Sequence, residues 1–320
     1  LVDAVTTTAS IGTDQTAYDR LAYFALRPQL YFDQAADVQP TRQSMPGSSV
    51  VFRLFNDLAV ASTAISESVD IDAMALADTT VTVTLAEYGN AVVTTAKLRG
   101  TSYIEIDPVA ANVVGFNAGV SVDTIVRNVL AAGFNVRYAS GGTTDPTTRN
   151  TVQPEDTLNA HDVRRARADL AGANVSDFGG MYVAWIHPDV ALDLREETGA
   201  AAWRDPHTYS KPDEIWTGEV GAFEGFRFIE TPRAPIFADV GSSTTLTDVY
   251  RTMFAGRQVL AKAWSSIDGN GPNPRVVLGP VTDRLRRFQP IGWYFLAGFA
   301  IFREAALRAV ESASSIGANA

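Results

Sequence analysis

The chain contains no cysteine in 320 residues, which excludes disulfides, thiolate nucleophiles and thiolate metal sites. Its stability must come from packing and association. Histidine is nearly as scarce: His161, His187 and His207 are the three. No His-x-x-x-His pair and no Gly-x-Ser-x-Gly elbow occurs, so neither a zinc site nor a serine triad has a framework. His187 precedes Pro188-Asp189, a pattern that opens a helix, and reads as a residue at that helix's start rather than a base. Lysine is also rare, with Lys97, Lys211 and Lys262 the three among 26 basic residues. The rest are Arg, whose planar fork suits interfaces, although a GC-rich genome accounts for the bias equally well. No apolar run reaches the roughly 18 residues of a spanning helix; the longest candidate, Ile291 to Phe302, is interrupted by glycine. Leu1 to Thr16 lacks a basic region followed by an apolar one, so no signal peptide is expected.

What is present belongs to a globular protein: 46% hydrophobic and 19% charged residues, enough for one large domain or two intimate ones. The formal net charge of −10 opposes tight, sequence-reading contact with nucleic acid.

Tyr18 to Phe32 places Leu21, Phe24 and Ala25 at helical spacing, ended by Pro28, with aromatics through Tyr31 and Phe32. Val50 to Phe55 and Thr79 to Leu85 read as strands. Asn56 to Asp78 separates them with Glu67, Asp70, Asp72 and Asp78 and no basic residue, a long excursion that implies a function. A turn over Glu87 to Asn90 is expected to lead into a strand from Ala91 to Leu98. Asp107-Pro108 starts a helix that runs to Ala132, with Val109, Val113, Phe116, Val120, Ile125 and Val129 as its apolar stripe. Gly115-x-x-x-Gly119 lacks the lysine of a phosphate loop.

Phe134 to Tyr138 is a short strand, and Ser140 to Pro154 an exposed loop near a domain boundary. Ala160 to Leu170 is a helix with Val163, Ala166 and Leu170 inward; Arg164, Arg165 and Arg167 read as a solvated or intersubunit face. Met181 to Ile186 is a buried strand, followed by a helix from Val190 to Glu197. Phe226, Phe228 and Thr231 alternate after the turn Glu224-Gly225, forming a hairpin that Pro232 and Pro235 stop. Val249 to Phe254 is a strand, and Gly256 to Trp264 a short helix. Asp268 to Asn273 begins like a calcium loop, but Asn273 and Gly279 stand where that loop needs glycine and a bidentate acid, so it reads as a turn. Pro290 to Phe302 is a long aromatic strand, with Arg284, Arg286 and Arg287 clustered before it.

Three segments in order resemble the major capsid proteins of tailed double-stranded-DNA bacteriophages. They are Arg27-Pro28 ahead of Gly47 to Phe52; Gly218-Glu219-Val220-Gly221-Ala222-Phe223-Glu224-Gly225-Phe226-Arg227-Phe228-Ile229-Glu230-Thr231; and Gly292-Trp293-Tyr294-Phe295-Leu296-Ala297-Gly298-Phe299 followed by Arg303 to Ser315. The resemblance implies an α+β chain with the Hong Kong 97-like capsid fold. Its divisions would be an N-terminal arm (1–47), an extended loop with its flanking strand (48–79), a peripheral domain with a long spine helix (80–150 and 281–320) and an axial domain (151–280).

The implied function is a structural shell protein, not an enzyme and without a cofactor. Its copies would form pentamers and hexamers of an icosahedral head that is assembled in the host cytoplasm, encloses DNA and touches no membrane. Decoration, scaffolding and portal proteins are the further partners implied. The arm and loop would grip neighbours, with Arg20, Tyr23, Arg27, Tyr31, Phe32, Arg42, Glu67, Asp70, Asp72, Arg284, Arg286 and Arg287 as expected contacts. A loop lysine crosslinks neighbours in the founding member of this fold; the loop here has none, so no such crosslink is expected. An encapsulin-like compartment is the alternative, and an α+β hydrolase a third.

Overall fold

The structure is a computed structural model describing residues 31–33, 36–38, 49–55, 58–62, 64, 73–101, 106–142, 145–197, 219–242, 246–265, 273–281, 283–285 and 287–316. The expected helix from Tyr18, ended by Pro28, and residues 268–272 of the expected turn lie outside them.

In chain order the strands are β1 (Ala36–Val38), β2 (Ser49–Phe55), β3 (Asp78–Thr84), β4 (Ala86–Thr95), β5 (Val136–Tyr138), β6 (Tyr182–Ile186), β7 (Glu219–Phe223), β8 (Phe226–Glu230), β9 (Ile236–Phe237), β10 (Val249–Ala255), β11 (Leu260–Trp264), β12 (Arg275–Leu278), β13 (Phe288–Ile301) and β14 (Leu307–Ser312). Among them lie the helices α1 (Ala96–Thr101), α2 (Ile106–Ala131), α3 (Ala160–Gly172) and α4 (Pro188–Glu196).

A seven-stranded sheet runs β5-β14-β10-β6-β8-β7, with β9 paired to β10. Every residue of β6 and of β10 is buried, the signature of central strands covered on both faces. Helix α3 contributes Val163, Ala166 and Leu170, all fully buried as the sequence spacing implied. Helix α4 starts where His187-Pro188-Asp189 predicts: Nδ1 of His187 accepts the Asp189 amide at 3.3 Å. The hairpin β7–β8 turns at Glu224 (φ 49°) and Gly225 (φ 79°), left-handed positions that glycine tolerates without strain. It drives Phe226 and Phe228 against Phe254, with ring centroids at 4.7 and 6.1 Å.

A five-stranded sheet is built on β13, which pairs with β4 along one side and with β11 and β12 along the other; β1 runs parallel to β11. Helix α2 lies on this sheet, where Oδ1 of Asn117 accepts the Trp293 indole N–H at 2.8 Å. By length and composition Asp107–Ala131 could cross a membrane, contrary to the reading of the sequence that no run was long enough. Ala111, Val126 and Leu130 are nonetheless fully enclosed, so it serves as a core helix.

Four expectations fail here. The stripe expected on α2 is not the buried one: Val109, Val113 and Phe116 are exposed, while Ala110, Val114, Ala118, Val122, Val126 and Leu130 face inward. This helix is apolar on nearly every side, and the face carrying alanines is the one that can lie close to a sheet. No turn forms at Glu87 to Asn90; those residues are inside β4, held by ten register pairs to β13. Gly256 to Trp264 is no helix, because Gln258 (φ 63°) reverses the chain and Leu260 to Trp264 pair with β13. The sheets also divide the chain differently from the expected domain cuts. Strands β5 and β14 belong with β10, whereas β11 and β12, placed in the axial division, sit in the sheet of β4 and β13.

Three ionic fasteners join these layers. Asp123, fully buried in α2, accepts the amides of Tyr31 (2.9 Å) and Phe32 (3.1 Å) and pairs with Arg233 at 2.8 Å. Burial pushes its carboxyl above the ordinary value, against the opposing pull of those amides and of Arg233. Lys262, almost wholly buried, meets Asp33 at 2.5 Å. Glu311, fully buried, takes a two-pronged pair from Arg149 (2.6 and 2.9 Å) and a longer one from Arg251 at 3.4 Å. Arg251 in turn donates to the carbonyls of Ala131 and Gly133, the latter at 2.8 Å, capping the end of α2.

Candidate assembly surfaces

Strands β2 and β3 form a separate two-stranded ribbon, in register from Ser49↔Thr84 to Phe55↔Asp78. Period-two alternation decides its two faces. Phe52 and Val83 pack onto Ala261 and Ala263 of the five-stranded sheet, and Phe52 meets the Phe302 ring at 6.2 Å. The opposite face shows Val51 and Phe55 to solvent. Arg53 and Asp78 pair across it at 3.4 Å. Beyond the paired residues Leu58, Val60, Met74 and Leu76 are exposed, Val60 to 90%. Large exposed apolar side chains of this kind make the ribbon and its flanks a candidate association surface.

The arm's root is the reverse case. Phe32 is fully buried and lies 5.5 Å from the Trp185 ring, and the Trp185 indole donates to the Tyr31 carbonyl at 2.9 Å. The expectation that Phe32 reaches a neighbour is therefore corrected: its side chain belongs to this chain's own core. Tyr31 is half-buried against the same core, its amide and carbonyl both taken.

Arg20, Tyr23, Arg27, Arg42, Glu67, Asp70, Asp72 and Arg286 lie outside the described residues. Arg284 is exposed, and Arg287 pairs with Asp283 at 2.5 Å while lying 5.4 Å from the Phe288 ring centroid. The arginines of α3 also have work inside the chain: Arg164 donates to Glu224 at 2.9 Å. A side chain on Gly225 would stand 2.7 Å from the Arg167 guanidinium. That face is solvated, with Arg167 exposed and Arg164 and Arg165 partly so, and it also braces the β7–β8 turn. Reasoning from sequence missed Asp33, Asp123 and Lys262. The one available signal was a lone acid in an apolar helix and a lone lysine in an apolar strand, both of which need partners when buried.

His187 offers no catalytic geometry. Burial lowers its affinity for a proton, against the pull of Asp189, and its Nδ1 serves as a cap by accepting the Asp189 amide. Among the described residues no group of three His, Asp or Glu is placed to hold a metal ion.

The family model described as phage capsid protein matches residues 7–316. Among solved structures, the capsid of Ralstonia phage GP4 superposes with a TM-score of 0.73 at 16% identity, covering 90% of this chain and 92% of that one. The Cyanophage Pam1 capsid gives 0.66 at 15% identity over 87% and 89%. The capsid of Helicobacter pylori bacteriophage KHP30 gives 0.62 at 12% identity over 87% and 88%. No curated relative is matched.

Proposed function

The chain belongs to the phage capsid protein family and carries the Hong Kong 97-like capsid fold, and on that premise we propose that its copies close as pentamers and hexamers into an icosahedral head around double-stranded DNA. Its role is structural, in the virion, with assembly in the host cytoplasm. The observation that carries this reading is the ribbon whose exposed apolar tip runs through Phe55, Leu58, Val60, Met74 and Leu76. Solvated alone, those groups stabilise nothing; buried on a neighbour, each large side chain contributes about 1.5–3 kcal/mol.

Closed symmetry multiplies such contacts. A subunit already held on one side binds the next at high effective concentration, so modest contacts sum to a stable shell. With a formal net charge of −10 the protein encloses DNA without gripping it by sequence. The acidic loop then meets arginines of adjacent copies, with Arg20, Arg27, Arg42, Arg284, Arg286 and Arg287 as the proposed partners. Negative-stain imaging of the expressed chain tests this: rings or closed particles are expected, and a monodisperse monomer at high concentration would contradict it. Particle content separates a phage head, which holds DNA, from a compartment that holds an enzyme.

A further inference from the structure

Strand β10 runs antiparallel to both β6 and β14, and the register fixes which residues share an end of the seven-stranded sheet. At one end Tyr250 stands beside Ser312; at the other Ala255 stands between Leu307 and Val183. The seven residues of β10, at roughly 3.3 Å each, hold these ends about 20 Å apart. The two ends carry opposite charge.

At the Tyr250 end, Asp189 accepts the Tyr250 hydroxyl at 2.9 Å and Asp248 accepts the Asp239 amide at 2.8 Å. Asp193 accepts the amide of Ser315, just past β14, at 3.0 Å. Burial first, and then Asp189, Asp248 and Asp193, push the Tyr250 hydroxyl above its ordinary value, so these carboxylates converge on one place. Glu155 joins them, because the carbonyl of the adjacent Asp156 takes the Ala313 amide. The arginines at this end are already committed: Arg149 to Glu311, Arg195 to Glu230 and Arg233 to Asp123. Glu155, Asp193, Asp239 and Asp248 have no cationic partner among the described residues, and Glu155 and Asp239 are exposed.

The Ala255 end is the reverse. Arg257 leaves β10 with its amide on the Ser176 carbonyl, and Arg303 donates to the Ala173 carbonyl at 2.9 Å, just past the end of α3. Arg167 lies against the β7–β8 turn. None of these three has a carboxylate partner among the described residues. Arg137 and Arg308 share the single acid Asp169. The other acids here are occupied: Glu224 by Arg164, Glu304 by the amides of Phe134 and Asn135, and Asp177 by that of Gly180.

We propose that the acidic end of this sheet in one copy meets the basic end in the next, Glu155, Asp193, Asp239 and Asp248 facing Arg167, Arg257 and Arg303 of the neighbour. Copies with a formal charge of −10 repel one another except where opposite signs are brought together. A head-to-tail contact uses two different patches, one from each partner, and repeating it closes a ring. The proposal rests on the shell reading above and gives the ring its polarity.

Charge reversal in the full chain tests it. Glu155→Lys with Asp239→Lys makes both ends basic, and Arg167→Glu with Arg257→Glu makes both acidic. Each double variant alone is expected to lower the yield of rings and particles by about tenfold or more, since like charges then face each other, while the cooperative melt of the subunit stays. Mixing the two variants in equal amounts is expected to restore assembly, because each then offers the sign that the other lacks. A purely structural role for these residues would not produce that mutual rescue. Where a reversed variant melts without cooperativity, Glu155→Gln with Asp239→Asn decides by yield: a fall of about threefold or more supports the contact, and wild-type yield overturns it. Wild-type yield from both reversed variants, or no recovery in the mixture of two folded ones, overturns the pairing alone. A wild-type chain that forms no rings or shells overturns the shell reading and the pairing with it.

Discussion

The seven-stranded sheet and the β2–β3 ribbon are made of the same kinds of residue, yet one is finished and the other is not. In β10 the run Val249 to Ala255 is buried throughout, and even Arg251 finds carbonyls and a carboxylate. In the ribbon, Phe52 and Val83 are the two buried residues of β2 and β3, while Phe55 and Val51 face water. On the function proposed above, the difference lies in where each region's partners are: the sheet has its own within the chain, and the ribbon finds its own on a sibling. Damage to the sheet should therefore appear as lost folding, and damage to the ribbon as lost assembly.

The largest effect is expected at Trp185, which holds the arm's root through both ring and indole N–H. Trp185→Ala should cost about 3–5 kcal/mol in denaturant unfolding of the dissociated subunit; a loss below 1 kcal/mol would mean that the arm's root is not part of the core. Glu311→Gln comes next, because it leaves Arg149 and Arg251 without their shared carboxylate. Charged hydrogen bonds of this kind contribute about 1.5–3 kcal/mol each, and the melting temperature should drop accordingly.

A smaller, pH-dependent effect belongs to Asp169. Burial raises its carboxyl, but the hydrogen bond from Arg137 and the charges of Arg308 and Arg137 outweigh that and hold it below the ordinary value. Its contribution is full above the unfolded value near 3.8 and is lost as pH falls through the lower folded value. Asp169→Asn should flatten the acid limb of a stability-against-pH curve, and an unchanged slope would count against the pairing. At the ribbon, Arg53→Ala should change subunit stability by less than about 1 kcal/mol, since the pair with Asp78 is largely solvated. Smallest of all on folding is Val60→Asp, expected to leave the subunit's unfolding midpoint unchanged while abolishing particles. If Val60→Asp unfolds the subunit, the ribbon tip belongs to the chain's own core and the contrast collapses.

Local chemistry made much of this legible. Asp107-Pro108 marked the start of α2 and His187-Pro188-Asp189 that of α4. Glu224-Gly225 marked the hairpin, and the aromatics after Pro290 marked β13. What stayed hidden depended on partners far along the chain. Helix α2 is apolar on too many sides for periodicity to choose a face; the choice is made by β13 and β4, which accept alanines. Leu260 to Trp264 has residues that suit a helix, and pairing with β13 overrides them. Phe32 looked like a sticky arm because its receptor, Trp185, lies 153 positions away in the sequence. Of the expected contact residues, the basic and acidic types could be read, but which surfaces meet is a property of copies in register, which one chain's sequence does not spell out.

Sedimentation velocity of the wild-type chain beside Val60→Asp is the most direct measurement. A wild-type boundary at the size of rings or closed shells, with the variant running as a folded single subunit, is the predicted result. Two slow, identical boundaries at the mass of one 34.4 kDa chain would contradict the claim that neighbouring copies complete this fold.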